Sequence, residues 1–366
     1  MMRLSGKNIS CRCRQIKTKL GDASGMALLM TLAAISFLAA ITVGLATSVN
    51  WQIQASTGQK ETVRLHAAVL SGLSLVRASL YGDQQKQKFD TLLDGWNTLD
   101  MKIVNKLFAG DKVSITVRDM SGRIQVNRLV LSDEEKKKLQ KDRLRGRREG
   151  GKKQGDPEKQ QRELWKRFLL SGKFAVEGED EAIALIDALS DWLDNDDLAR
   201  DHGAETGYYQ SLKNPYICRN GPLRYPEELL LVKGFSRKIV YGDKEHEGII
   251  DYLTIYGQDG KININTALPL ILQALAPGMN DEMAGQLVEF REEKDNLNAL
   301  ENPQWYRQAG DFPGDLVFDK EMITTVSSYF FLKITIENNG FQQTGEGFLY
   351  RDPKTREQDL LSWKEK

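Results

Sequence analysis

No charged residue stands between Asp22 and Lys60, and inside that gap Met26 to Val49 reads MALLMTLAAISFLAAITVGLATSV, 24 mostly apolar residues. Folded as a helix at about 1.5 Å per residue, the run spans roughly 36 Å, enough to cross the hydrocarbon core of a bilayer. Residues 1–25 hold Arg3, Lys7, Arg12, Arg14, Lys17 and Lys19 against Asp22, a net charge of +5. Basic flanks stay on the cytoplasmic side, so residues 26–49 are expected to pass once through the inner membrane, with everything after residue 50 in the periplasm. A secretory signal peptide has a shorter apolar run ending in a small-x-small cleavage site, and this run is too long for one.

The helical pattern continues beyond the apolar run. Val63, Ala67, Leu70, Leu73, Val76 and Leu80 recur at three-to-four spacing as far as Tyr81-Gly82-Asp83. A single helix from Met26 to Tyr81 would extend roughly 84 Å; a membrane helix and a separate amphipathic one, kinked near Gly58, is the alternative. Contacts to partner helices are expected from residues 53–80, through Leu73, Val76 and Leu80.

Two segments, Val113–Val117 and Arg123–Val126, alternate at period two across Asp119-Met-Ser-Gly122 and read as paired strands. Another pair lies near the end, Tyr329–Ile336 and Gly347–Tyr350, with a turn at Asn338-Asn-Gly340. Roughly 200 residues separate the two halves of this sheet, too many for a loop, so an inserted domain is expected. Its first part, residues 133–167, holds 14 Lys/Arg and 8 Asp/Glu with four interrupting glycines, which reads as a solvated, flexible segment.

From Asp180 onward the pattern is helical. Helices at Leu268–Leu275 and Asp281–Glu293, joined by Ala276-Pro-Gly-Met-Asn280, are similar to helix-hairpin-helix (SAM-like) modules, with Asn265 or Thr266 expected to cap the first helix. Hairpins that bind DNA present glycine-rich turns to a phosphate. Here one glycine is followed by Asp281 and Glu282, which repel phosphate. The whole chain balances 51 Lys+Arg against 51 Asp+Glu, and residues 26–366 alone carry −5. Without a basic excess to displace counterions, no nucleic-acid partner is expected.

Little in the chain points to catalysis. There is no Walker loop, Gly-x-Ser-x-Gly elbow or His-Glu-x-x-His, and His66, His202 and His246 have no companions at metal spacing. The expectation is a protein that is not an enzyme. Beyond residue 25 the only cysteine is Cys218, which excludes an intramolecular disulfide. One loop stands out: Asp191, Asp194, Asp196, Asp197, Asp201 and Glu205 fall within fifteen residues at the end of a helix. Acids are unfavourable at that end of the helix dipole, and several carboxylates on a short loop can supply the oxygens a structural calcium needs. Asp194, Asp196, Asp197 and Glu205 are the expected ligands; a solvated acidic helix end is the alternative.

Two stretches carry a family resemblance. Gly25-Met26 immediately before the apolar run resembles the leader junction of type IV pilin-like proteins, and the resemblance implies cleavage between Gly25 and Met26 by the prepilin peptidase and N-methylation of Met26. Pilins have a glutamate at the fifth mature position, where this chain has Met30. A carboxylate inside the bilayer costs a few kcal/mol unless paired. A subunit without it gives up a pairing with its neighbour, which suits the end of a filament. The second stretch, IALIDALSDWLDNDDLARDHGAETGYYQSLKNPYICRNGPLRYPEELLLVKG from Ile183, resembles the general secretion pathway protein K family of type II secretion systems.

That resemblance implies an α+β fold: a pilin-like long N-terminal helix with a small antiparallel sheet, interrupted by a large inserted all-helical (SAM-like/helix-hairpin-helix) domain. The divisions expected are a class III leader (1–25), the transmembrane part of the helix (26–49), periplasmic helix and first half of the sheet (50–131), a charged flexible insertion (132–167), the inserted helical domain (168–320), and the second half of the sheet with a C-terminal tail (321–366). It further implies a minor pseudopilin in a tip complex with other minor pseudopilins, helping to start pseudopilus assembly and export across the outer membrane. The alternative is a membrane-anchored helix-hairpin-helix DNA receptor, or a minor pilin of a type IV pilus or competence system.

Overall fold

A computed structural model describes residues 23–108, 110–148, 156–310 and 312–366. Residues 1–22, most of the expected leader, lie outside the described residues, and the leader's last three residues, Ala23 to Gly25, are the first of a helix. The chain divides into two units, residues 1–63 and 64–366. In the first, the described residues are all helical and their apolar side chains, Met26, Met30 and Phe37 among them, are exposed. They belong to α1 (Ala23–Lys86), which runs without a break through Gly58. Among the described residues it is the one helix long and apolar enough to cross a membrane.

In the second unit, α1 lays one face on a four-stranded antiparallel sheet in the order β1 (Lys112–Asp119), β6 (Tyr329–Asn338), β7 (Phe341–Arg351), β8 (Gln358–Glu365). Strand β6 alternates strictly, and its inward residues Phe330, Leu332, Ile334 and Ile336 are fully buried against Leu65, Val69, Leu73, Val76 and Leu80 of α1. Each such side chain contributes about 1.5–3 kcal/mol by leaving water. Leu73, Val76 and Leu80 are therefore not partner contacts. They do form one apolar stripe, but the chain's own sheet covers it, while Leu70 and Tyr81 on other faces of α1 stay exposed. A short helix, α2 (Met101–Leu107), adds Val104 to the same core, and Trp96 meets Phe330 edge-on at 5.5 Å.

The β6–β7 turn is the two-residue kind that an Asn-Gly pair favours, with Asn339 at φ 48° and Gly340 at φ 80°. Strand β8, expected only as tail, completes the sheet. Its Trp363 closes over Gly345, where a Cβ would stand 2.3 Å from the indole and 2.6 Å from Val69. Gly345→Ala should therefore destabilise the sheet by about 1–3 kcal/mol through overpacking, read as a lower urea midpoint.

Arg123–Val126 does not form the expected hairpin with β1. Only β2 (Ile124–Gln125) is extended, and it pairs in parallel with β3 (Leu253–Thr254); β4 (Ile262–Asn263) pairs likewise with β5 (Ile323–Thr324). Ile124, Val126, Leu129 and Val130, expected with the sheet half, are instead buried in the core of the helical body. The charged stretch is also more ordered than its composition suggests. It holds α3 (Asp133–Arg148) and α4 (Pro157–Leu169), and α4 buries Leu164, Trp165 and Phe168 in the helical core. There it packs on α5 (Glu179–Leu193) and on α8 (Pro269–Leu275), which is followed by α9 (Asp281–Glu292).

A buried polar seam ties the helical body to the sheet. Arg351, 1 % exposed, donates to Asp90 Oδ1 at 2.5 Å and to the carbonyls of Ser327 (2.9 Å) and Leu80 (3.2 Å), and lies 4.9 Å over the Phe330 ring. Asp90 Oδ2 accepts the Ser327 N–H, and its carbonyl accepts from Asn263 and Asn265. Asp119 Oδ2 accepts from Ser327 Oγ at 2.5 Å and from Thr266 Oγ1, and burial pushes its carboxyl above the usual range. Asn265 and Thr266 thus serve this seam and do not cap α8, whose N-cap position is Leu268 without a side-chain bond.

Candidate functional site: an acidic loop

Helix α5 opens with Glu179, Asp180 and Glu181, favourable at that pole, and closes on Asp191, which is not. The chain leaves the helix at Asp194, loops back through Arg200, and enters α6 (Thr206–Gln210) after Glu205. Gly203 is required inside this loop, because a Cβ there would stand 1.7 Å from Asp191 Oδ2.

The acids separate into three groups. Asp191, fully buried, is spoken for: Oδ1 accepts Arg200 NH1 at 2.5 Å and Oδ2 accepts the Arg200 backbone N–H at 3.1 Å. Asp194, Asp196 and Glu205 each bring a carboxylate oxygen to within 4.8 Å of the others. Asp197, expected as a fourth ligand, falls outside that trio and accepts the Thr206 N–H at 3.1 Å. Asp201 is exposed.

Within the trio, satisfaction is incomplete in a telling way. Glu205 is 6 % exposed, and both of its carboxyl oxygens are buried without a hydrogen-bond partner. Asp194 gives Oδ2 to Arg200 NH1 at 2.7 Å and leaves Oδ1 buried and unpaired. A buried acceptor left unmade costs about 1–3 kcal/mol. Burial, then the neighbouring carboxylates Asp191, Asp194, Asp197 and Asp196, push Glu205 up to about 8; burial likewise raises Asp194, against the pull of Arg200. The neighbouring Cys218 thiol is pushed up to about 11, chiefly by burial, and sits between the Asp191 carbonyl and the Glu205 carboxyl, to which it is a weak sulfur neighbour. Hard, donor-free oxygens of this kind are ones a divalent cation such as calcium could take among its six to eight ligands.

Two members of the site were not legible in the sequence as such. Arg200 was one base among acids, with nothing to say that its side chain turns back to the helix end. Asn220, in the left-handed region at φ 46°, donates to the Asp196 carbonyl at 2.8 Å and so fixes the loop from across the fold.

The helix-hairpin-helix is present as α8, a turn with Gly278 at φ 84°, and α9, capped by Asn280 and carrying Asp281 and Glu282 in its first turn. A phosphate at that helix start would meet two carboxylates.

Comparison with known proteins follows this division of the fold. Residues 122–241 and 262–324, together half of the chain, match two domains described as type II secretion system (T2SS), protein K. The type II secretion system protein K of Aeromonas hydrophila is 35 % identical over 97 residues, which is 26 % of this chain and 28 % of that protein. The crystal structure of the GspK-GspI-GspJ complex from the enterotoxigenic Escherichia coli type 2 secretion system contains a chain that superposes with a TM-score of 0.56. The superposition covers 85 % of this chain and 99 % of that one at 16 % identity, a likeness of fold.

Proposed function

The chain belongs to the type II secretion system protein K family, and from that premise we propose that it is a minor pseudopilin at the tip of the periplasmic pseudopilus, helping to initiate its assembly and so protein export across the outer membrane. The observation that carries the tip position is Met30. A subunit with methionine where a filament subunit keeps an ion-pairing carboxylate loses little by having no neighbour on that side. The helical body inserted between β1 and β6, far larger than the sheet it interrupts, suits an end better than a filament interior. Partners are other minor pseudopilins, related to those in the complex that its structural neighbour forms. The exposed residues Leu70 and Tyr81 of α1 replace the buried Leu73, Val76 and Leu80 as the contacts to test.

The experiment is N-terminal sequencing and intact mass of the full chain from native membranes, with export measured in cells that lack it. We expect a chain that begins at N-methylated Met26, and export lost without it. A chain that begins at Met1, or export undiminished, overturns the reading. Leu70→Lys, on an exposed face, should leave the melting temperature within about 2 °C while reducing capture of partner pseudopilins from membranes. Unchanged capture would remove this face from the interface.

The acidic loop is proposed to hold one structural calcium through Asp194 Oδ1, an Asp196 oxygen and Glu205. Calcium there would supply charge balance and oxygen coordination; these residues hold the loop between α5 and α6 in place.

A further inference from the structure

The acidic loop already contains a cation, the Arg200 side chain, and the way it is bound divides the site in two. Arg200 NH1 bridges Asp191 Oδ1 at 2.5 Å and Asp194 Oδ2 at 2.7 Å, and its backbone N–H takes the remaining oxygen of Asp191. Its side chain is 30 % exposed while those of Asp191 and Asp194 are 0 % and 5 % exposed, so the guanidinium enters from the surface to neutralise charge beneath it. What it leaves uncovered is specific: Asp194 Oδ1 and both oxygens of Glu205, all buried and unpaired.

We infer that Arg200 is the resident counter-ion of the cation site, holding Asp191 and half of Asp194 permanently so that Asp194 Oδ1, Asp196 and Glu205 are reserved for an exchangeable divalent cation. The inference rests on the calcium reading above and adds the element that regulates it. With Arg200 in place the metal-free loop has one of its charges met and keeps its shape, including the neutralised C-terminal pole of α5. The same positive charge, one carboxylate away from the bound ion, repels it and holds the affinity down. Arg200 is thus a positioning residue with two opposite effects: it stabilises the loop without metal and weakens metal binding.

The test uses the full chain in detergent, with calcium as the probe and two readouts, calorimetric affinity at fixed pH and melting temperature in EDTA. Arg200→Gln removes the charge. It should bind calcium at least tenfold more tightly than the unaltered chain and melt lower in EDTA, with the gap closing when calcium saturates. Arg200→Lys keeps the charge and should bind calcium within about threefold of the unaltered chain, which keeps the inference falsifiable if Arg200→Gln does not fold. Calcium affinity unchanged or weaker in Arg200→Gln overturns the counter-ion role while leaving the calcium site standing. A tenfold change in Arg200→Lys overturns it too. Calcium binding in Arg200→Gln alone supports it, as the sign of an arginine that outcompetes the ion. If neither the unaltered chain nor Arg200→Gln binds calcium, the calcium reading falls and this inference falls with it.

Discussion

Arg351→Met should lower the stability of the folded chain by about 3–5 kcal/mol, more than any surface substitution discussed above. The guanidinium is 1 % exposed and makes four separate contacts: Asp90 Oδ1, the Ser327 and Leu80 carbonyls, and the face of Phe330. Methionine fills much of its volume and removes every donor. Asp90, 4 % exposed, then keeps a carboxylate beside Asp119 with only the Ser327 N–H on Oδ2. Two carbonyls lose a donor as well. Because Arg351 sits on β7, Leu80 on α1 and Ser327 before β6, the loss loosens the joint between sheet and helical body together. The drop in melting temperature should be on the order of 10 °C. Asp90→Asn in the same chain should recover part of the loss, because an amide removes the uncompensated charge while keeping an acceptor for Ser327. A double variant as unstable as the sum of the two singles would show that Arg351 acts without Asp90, through the Leu80 and Ser327 carbonyls and its packing on Phe330.

That seam also marks the limit of what sequence reading could reach. The alternation of Tyr329–Ile336 and the Asn-Gly turn are local signals, and both elements stand where they were expected. The stripe of Leu73, Val76 and Leu80 was equally plain, but an apolar face says only that something covers it, and the cover, β6, lies more than 240 residues away in the chain. The stretch at 133–167 failed for a different reason: a high charge fraction hides the few residues that decide, and Leu164, Trp165 and Phe168 at helical spacing outweigh the lysines around them. Asn265 and Thr266 had the residue types of a helix cap and were taken up by Asp90 and Asp119, partners that only tertiary structure supplies. In the acidic loop, three of the four acids singled out as ligands, Asp194, Asp196 and Glu205, bring carboxylate oxygens together. The sequence could not separate Asp197, bound to a backbone N–H, from Glu205, bound to none.

Calcium should raise the melting temperature of the full chain, and Glu205→Gln should abolish the response without lowering stability in EDTA. At a hundredfold excess over the dissociation constant, a ligand that binds only the folded state adds about 2.7 kcal/mol, a shift on the order of 5 °C. Glu205 is the residue to change because neither of its two buried oxygens accepts a hydrogen bond from an N–H or O–H group. In the metal-free chain the group is held up to about 8, first by burial and then by the carboxylates Asp191, Asp194, Asp197 and Asp196, so at neutral pH it is mostly protonated and a neutral amide replaces it at little cost. The same shift fixes the pH dependence. The folded-state pKa lies above the unfolded value of 4.5, so the metal-free chain holds a proton that the unfolded chain has lost, and its stability declines as pH rises through that window toward about 8. Calcium must displace that proton, so the calcium-dependent rise should grow between pH 6 and 8, by at most about tenfold in affinity per pH unit, and level off above. Thermal melts in EDTA and in calcium, at pH 6, 7 and 8.5 and in both chains, test this directly. A rise that is equal at all three pH values, or one that survives in Glu205→Gln, would mean that calcium binds elsewhere and that the unpaired oxygens of Glu205 serve no ion.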